Sequence, residues 1–520
     1  MLLKVGTRGR MTRSRFFPRI VVVAFSLVNV VALAACGALP GSGQLTPRSD
    51  GSAAPSPAES PPAAGRTAPS AGPAALAFDA AKAKAHLDYL ADPLRGGRFT
   101  ASRGYDEAAR YMAEQLAAAG VEPYGDNGTF FQRFRMPLVD LAATPALERI
   151  GAQPRAFRHR IEFTESIGGT AGGGSAEGRL VFAGSGQRVG GLDDFAGLDL
   201  SGAIVMFISP RSSSVAEAIR LGASGLLIVS DRMIKFSYIP RFESRTLPTL
   251  VPTEAAADEL LAGSGRRISD LRRTVEDQLR AIGTAGATVP ASVSFEAPQR
   301  LRMSLALTPV REVEATNVVG IIRGNEADAA KRAVLVGGHL DGVGTDPDGT
   351  VFEAANDNAS GPAVTIELAR SLVARKAELR HSVILVAFSG EEQGLWGSDH
   401  YATNVSTIPG RAESLVAYLN LDVVGCCGSS LGASEESPAL FARAKRAAEA
   451  EGVSLSSSRG SSDHASFLRR RVEVMHLLWA DTGPIHTVRD TAATVTAERL
   501  GAYGRVAGRV VLELGRGDTP

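Results

Sequence analysis

From about residue 316 to residue 514, short apolar runs alternate with amphipathic stretches, and this alternation limits the chain to few folds. The runs 317–322, 333–337, 382–388, 416–421 and 472–478 predict strands, and 360–372, 438–450 and 496–514 predict helices. Apolar strands alternating with helices imply a largely parallel sheet covered on both faces. In such sheets ligands bind beyond the carboxyl ends of the strands. Polar residues of one kind collect at those ends: His339 follows one strand, Glu391 and Glu392 another, and Asp422 a third.

The stretches carrying them read Gly338-His339-Leu340-Asp341, Asn356-Asp357-Asn358-Ala359-Ser360-Gly361, Gly390-Glu391-Glu392, Asn420-Leu421-Asp422 and Ile485-His486-Thr487. Imidazole and carboxylate are the donors zinc accepts when thiolates are absent. An unpaired charge at the end of an apolar strand is costly, and Glu391 and Glu392 side by side repel unless cations lie near. His339, Asp357, Glu392, Asp422 and His486 therefore read as the ligands of a two-metal site, with Asp357 as the bridge. Glu391 is left free to act as a base, and Asp341 is placed to support the second nitrogen of His339.

At 520 residues the chain exceeds one ordinary domain. Its 44% hydrophobic and 21% charged residues suit a folded globular protein. Six basic residues precede residue 36 with no acid among them, so the net charge of +1 hides an acidic remainder. No basic patch argues for nucleic acid. After those basic residues comes an apolar run, 20–35, and then Leu33-Ala34-Ala35-Cys36. This pattern predicts a secretory signal over 1–36. It resembles the bacterial lipobox, which implies lipidation at Cys36, attachment to a membrane and a place in the bacterial cell envelope outside the cytoplasm. Residues 37–75 are rich in Pro, Ser, Ala and Gly and predict a disordered tether. The adjacent Cys426 and Cys427 are expected as two buried thiols, with a vicinal disulfide as the alternative.

Asp79 and Ser102 are expected to cap two helices, the first ended by Pro93 and the second by Gly120. These belong to 76–151, the first part of the catalytic domain, which resumes over 304–520. Between them, 152–303 changes character: 180–183, 203–209, 225–229 and 247–252 predict strands, and 215–221 and 255–261 helices. The run Ala218-Ile219-Arg220-Leu221-Gly222-Ala223-Ser224-Gly225 resembles the signature of protease-associated domains. The fold expected is α/β, a mixed, mostly parallel sheet with helices on both faces plus an inserted β-rich α/β domain.

Together with Ser462-Asp463-His464, the five stretches resemble the motifs of the clan MH di-zinc aminopeptidases, which have a phosphorylase/hydrolase-like fold. The resemblance implies two Zn2+ ions: His339 and Asp422 on one, Glu392 and His486 on the other, and Asp357 between them. It further implies Asp341 as the partner of His339, Glu391 as the general base, and a cis peptide after Asp357. The implied activity is removal of N-terminal residues from peptides or proteins. A carboxypeptidase or dipeptidase on the same scaffold, and a catalytically inactive receptor-like protein, are the alternatives. His464 reads as a supporting or structural residue, and Arg459 as a loop residue or a contact for substrate carbonyls. His86, His159, His381, His400 and His476 have no partner pattern and read as structural or surface residues.

Overall fold

The computed structural model describes residues 76–235, 239–326, 332–407 and 415–517. The expected signal segment with Cys36 and the tether 37–75 lie outside the described residues. Among the described residues no helix is long and apolar enough to cross a membrane.

Two large mixed sheets make an α/β architecture. The first has at its centre four parallel strands in the order Ser382–Phe388, Ala333–His339, Leu415–Leu421 and Val474–Trp479. Every residue of Ser382–Phe388 and Ala333–His339 is buried, which is why these segments read as unbroken apolar runs. Antiparallel strands flank the centre: Arg311–Ile322 beside Ser382–Phe388, and Leu431–Ala433 beside Val474–Trp479. Helices cover both faces. Ala80–Ala91, Arg103–Ala118, Ser360–Val373 and Ala497–Gly515 share one core. On the other face Tyr401 and Phe467 pack against Phe388 and Tyr418.

Local chemistry sets the helix ends. The Asp79 carboxylate accepts from the N–H groups of Ala81 and Lys82, and the Ser102 hydroxyl accepts from that of Tyr105. Thr496 caps the closing helix in the same way, through the N–H of Arg499.

The second sheet runs Arg155–Ala156, Ala146–Ile150, Phe295–Leu305, Gly174–Phe182, Ile204–Phe207, Gly225–Ile228, Phe242–Pro252 and Phe163–Ser166. Gly174–Phe182, Ile204–Phe207, Gly225–Ile228 and Phe242–Pro252 are parallel to their neighbours within that group. Its faces carry separate apolar cores, and the helices Ser212–Arg220, Glu254–Leu260 and Ile268–Ile282 contribute to them. The last of these helices and the strand Phe295–Leu305 carry alternating polar residues and are not among the elements expected from the sequence. Strand Ala146–Ile150 lies ahead of the expected 152–303 span.

The sulfurs of the adjacent Cys426 and Cys427 lie side by side, and Cys426 is buried. Cys427 has φ 87°, which turns the chain back at this point.

Close backbone approach joins the central strands to the loop that carries Asp357. A Cβ on Gly361 would lie 2.1 Å from the carbonyl oxygen of Leu421, which accepts a hydrogen bond from Asn358 Nδ2 at 2.9 Å. Gly361→Ala must therefore push this loop away from the end of strand Leu415–Leu421. We expect a loss of about 1–3 kcal/mol, read as a lower midpoint in chemical denaturation. An unchanged midpoint would contradict this packing.

Candidate metal centre

Four adjacent parallel strands each deliver a polar side chain to the same end of the first sheet. His339 is the last residue of its strand, Glu391 and Glu392 follow Ser382–Phe388, and Asp422 follows Leu415–Leu421. His486 comes from the loop after Val474–Trp479. Asp357 arrives from the turn Ala355–Ala359, which leads into helix Ser360–Val373, and the Asp357–Asn358 peptide is cis.

The carboxylate of Asp357 stands between two imidazoles. His339 Nε2 lies 3.3 Å from Asp357 Oδ1 and 3.3 Å from Asp422 Oδ1. His486 Nε2 lies 3.1 Å from Asp357 Oδ2 and 3.1 Å from Glu392 Oε2. Each imidazole thus faces Asp357 and one further carboxylate, Asp422 beside His339 and Glu392 beside His486. A tetrahedral zinc ion with bonds of about 2.0–2.1 Å needs donor–donor separations of about 3.3–3.4 Å. The donor types, and the imidazole–carboxylate separations of 3.3 Å at His339 and 3.1 Å at His486, fit such ions beside Asp357. Donor atoms of His339, Asp357 and Glu392 lie within 4.8 Å of one another, as do those of His339, Glu391 and Asp422. Glu391 therefore reaches the centre as well, on the side of His339 and Asp422.

Asp341 supports His339 through its main chain. Its main-chain carbonyl, not its carboxylate, stands at hydrogen-bond distance from His339 Nδ1, at 3.1 Å against 3.8 Å. The carboxylate accepts from the N–H groups of Glu391 and Glu392, both at 3.3 Å, and from the Thr100 hydroxyl at 3.2 Å. One residue thereby orients His339 and holds the turn carrying the two glutamates.

Acids crowd this buried space. Burial drives the Glu391 carboxyl well above its usual range, and Glu392, Asp463 and Asp422 add to the effect while His339 opposes it. Burial likewise raises Asp341 to about 6, and Asp463 and Asp490 to about 7. Burial opposes charge on the imidazoles too, but Asp422 and Glu391 raise His339, and Glu392 and Asp357 raise His486, well above the ordinary histidine value. Burial works to raise Asp357 as well, yet its hydrogen bonds with both imidazoles leave it far below the usual carboxylate range. The same field favours divalent cations at this position.

Several supporting residues gave no signal in the sequence. The Asp490 carboxylate accepts from the N–H groups of Asn356 and Asp357, at 2.8 and 3.1 Å. Arg98 is fully buried and donates to the carbonyls of Leu90, Leu340, Glu353 and Ala354. It ties the residue after His339 to the chain entering the Asp357 turn. His476 pairs in register with Asn420, stacks on His464 at 4.7 Å, and places Nε2 3.8 Å from Asp422 Oδ2. It is a buried residue packed beside a ligand candidate. The other expectations for histidine hold: His86 bonds Tyr111, His159 pairs with Glu165, His381 faces Glu326, and His400 stacks on Phe134. Arg459 is exposed.

Residues 317–511 match the model of peptidase family M28 and are homologous to it. An aminopeptidase of Bacillus subtilis, YwaD, is 30% identical over 41% of this chain and 48% of its own length. A probable zinc metalloprotease of Leptosphaeria maculans is 39% identical over 22% of this chain and 25% of its own length. The chain thus spans less than half of each of these curated relatives. Among solved structures, an aminopeptidase from Aneurinibacillus sp. strain AM-1 superposes with a TM-score of 0.61 at 21% identity. It covers 84% of this chain and 94% of its own. A zinc aminopeptidase from Bacillus subtilis gives 0.59 at 21% identity, over 84% and 95%. These likenesses show that the α/β fold is that of M28 peptidases.

Arg98 generates a direct prediction. Arg98→Met leaves four carbonyls without their charged donor, each such bond being worth about 1.5–3 kcal/mol. Unfolding free energy in urea should fall by more than about 3 kcal/mol, with Arg98→Lys intermediate because an ammonium lacks the planar fork. Wild-type stability in Arg98→Met would contradict the clamp.

Proposed function

We propose that this chain is an exported, zinc-dependent aminopeptidase that holds two Zn2+ ions and uses Glu391 as its general base. The observation that carries the reading is the position of Asp357, whose two carboxylate oxygens face His339 and His486 separately at 3.3 and 3.1 Å. The homology of residues 317–511 to peptidase family M28 supports it, as do relatives named as aminopeptidase and probable zinc metalloprotease.

In this reading His339 and Asp422 would hold one ion, Glu392 and His486 the other, and Asp357 both. Bound zinc supplies Lewis-acid polarisation of a peptide carbonyl and lowers the pKa of water towards neutrality. Glu391 takes the proton from the attacking water and passes it to the leaving amine, one carboxylate serving in both directions. Asp341 keeps Glu391 and Glu392 apart in role by fixing both of their N–H groups. The surplus of carboxylates around the centre gives a free substrate α-amine a favourable place, which accounts for attack at the N-terminus.

We read the second sheet as a protease-associated domain inserted in the peptidase domain. Cys36 is the proposed lipid attachment point, which would tether the enzyme to a membrane outside the cytoplasm, where peptides or proteins are its substrates.

Glu391→Gln should retain both zinc ions and lower hydrolysis of aminoacyl substrates by about 10²–10⁴-fold. Zinc content by atomic absorption and initial rates on aminoacyl anilides check this together. Full zinc with near wild-type rates would remove Glu391 from its role. Equal hydrolysis of N-blocked peptides by the wild type would contradict the aminopeptidase reading.

A further inference from the structure

His486 has a left-handed backbone, with φ 58°. A non-glycine residue keeps this conformation only where its surroundings hold it. One holding contact comes from the chain that follows strand Gly225–Ile228 of the second sheet: the main-chain N–H of Lys235 donates to the carbonyl of His486 at 2.8 Å. The other side of the same peptide unit is also tied down. The Ile234 carbonyl accepts from the Thr164 hydroxyl at 3.0 Å, and Thr164 is a fully buried residue of strand Phe163–Ser166.

The Lys235 side chain then anchors this peptide to the segment that follows strand Ala333–His339. Its Nζ lies 3.1 Å from Asp346 Oδ1, and both side chains are buried. Arg160 grips the same carboxylate with two bonds, Nε to Oδ2 at 2.7 Å and Nη2 to Oδ1 at 2.9 Å. Asp346 lies on the segment between His339 and the Asp357 turn. Two cations from connections between strands of the second sheet are therefore fastened to the segment that joins two ligand candidates, while the main chain of one of them fastens a third. A contact that only docked the two sheets would not need to end on the carbonyl of His486.

We propose that the second sheet positions His486 for zinc through the Ile234–Lys235 peptide, with Lys235 and Thr164 as positioning residues. This rests on the two-metal reading above. The second sheet is then part of the metal centre's framework and not only a neighbour of it. Neither residue is among the ligand candidates; each acts on the orientation of one imidazole.

The test is a zinc titration of the metal-free full chain against a competing chromophoric chelator, resolving two stepwise dissociation constants. Lys235→Met keeps the apolar stem and leaves Asp346 paired with Arg160. Thr164→Val keeps the shape and removes the hydroxyl. Each should weaken one constant about tenfold to a hundredfold, the range for losing a group that orients a ligand. The other constant should stay within about twofold, and Thr164→Ser, which retains the hydroxyl, should restore the first. The melting midpoint of each metal-free variant is recorded alongside. Unchanged constants in Lys235→Met and Thr164→Val, while His486→Ala weakens one, would overturn the positioning role and leave the two-metal reading intact. Weakening of both constants with a lowered metal-free midpoint would overturn it as well. Uptake of fewer than two zinc ions by the wild type would overturn the two-metal reading and this inference with it.

Discussion

A single buried carboxylate, Asp357, set between two imidazoles, is the constraint on which the rest of the centre depends. Its oxygens lie 3.3 Å from His339 Nε2 and 3.1 Å from His486 Nε2, while Asp422 and Glu392 each close on one imidazole. Such a density of acids in a buried space is unfavourable unless positive charge sits among them. Burial, with neighbouring acids adding to it, drives Glu391 and Asp341 upward, and the two histidines are pulled up by their acidic neighbours. Two divalent ions answer that imbalance directly, and the donor spacing suits them.

Holding Asp357 in place takes more of the molecule than its own loop. Asp490 accepts the N–H groups of Asn356 and Asp357, and Arg98 gathers the carbonyls of Leu340, Glu353 and Ala354 from a fully buried position. Gly361 lets the helix after Asp357 press against the carbonyl of Leu421, one residue before Asp422. The strand ends therefore do not carry independent side chains. They are connected through main-chain groups, so a shift at one ligand candidate is felt at the next.

Much of this was legible in the sequence, for identifiable reasons. The strands around His339, Glu392 and Asp422 are buried on both faces, so they appear as apolar runs that stop abruptly at a polar residue. Asp79 and Ser102 cap helices by contacts two or three residues away, which is within the reach of sequence patterns. The failures have a common cause. Arg98 bonds Leu340 across 242 positions, Asp490 bonds Asn356 across 134, and Lys235 meets the carbonyl of His486. Each of these contacts ends on a main-chain group, which leaves no side-chain partner to find. Asp341 was seen as a partner for His339, but only the structure separates its carbonyl from its carboxylate. His476 is recognisable only from its register with Asn420 in the neighbouring strand.

The central claim, that Asp357 joins two metal ions, is tested most directly by zinc K-edge X-ray absorption on the zinc-loaded full chain. The account predicts two zinc ions per chain, nitrogen and oxygen donors only, and a zinc–zinc vector of about 3.5–4 Å. A single zinc ion per chain, or two with no zinc–zinc vector in that range, would contradict it.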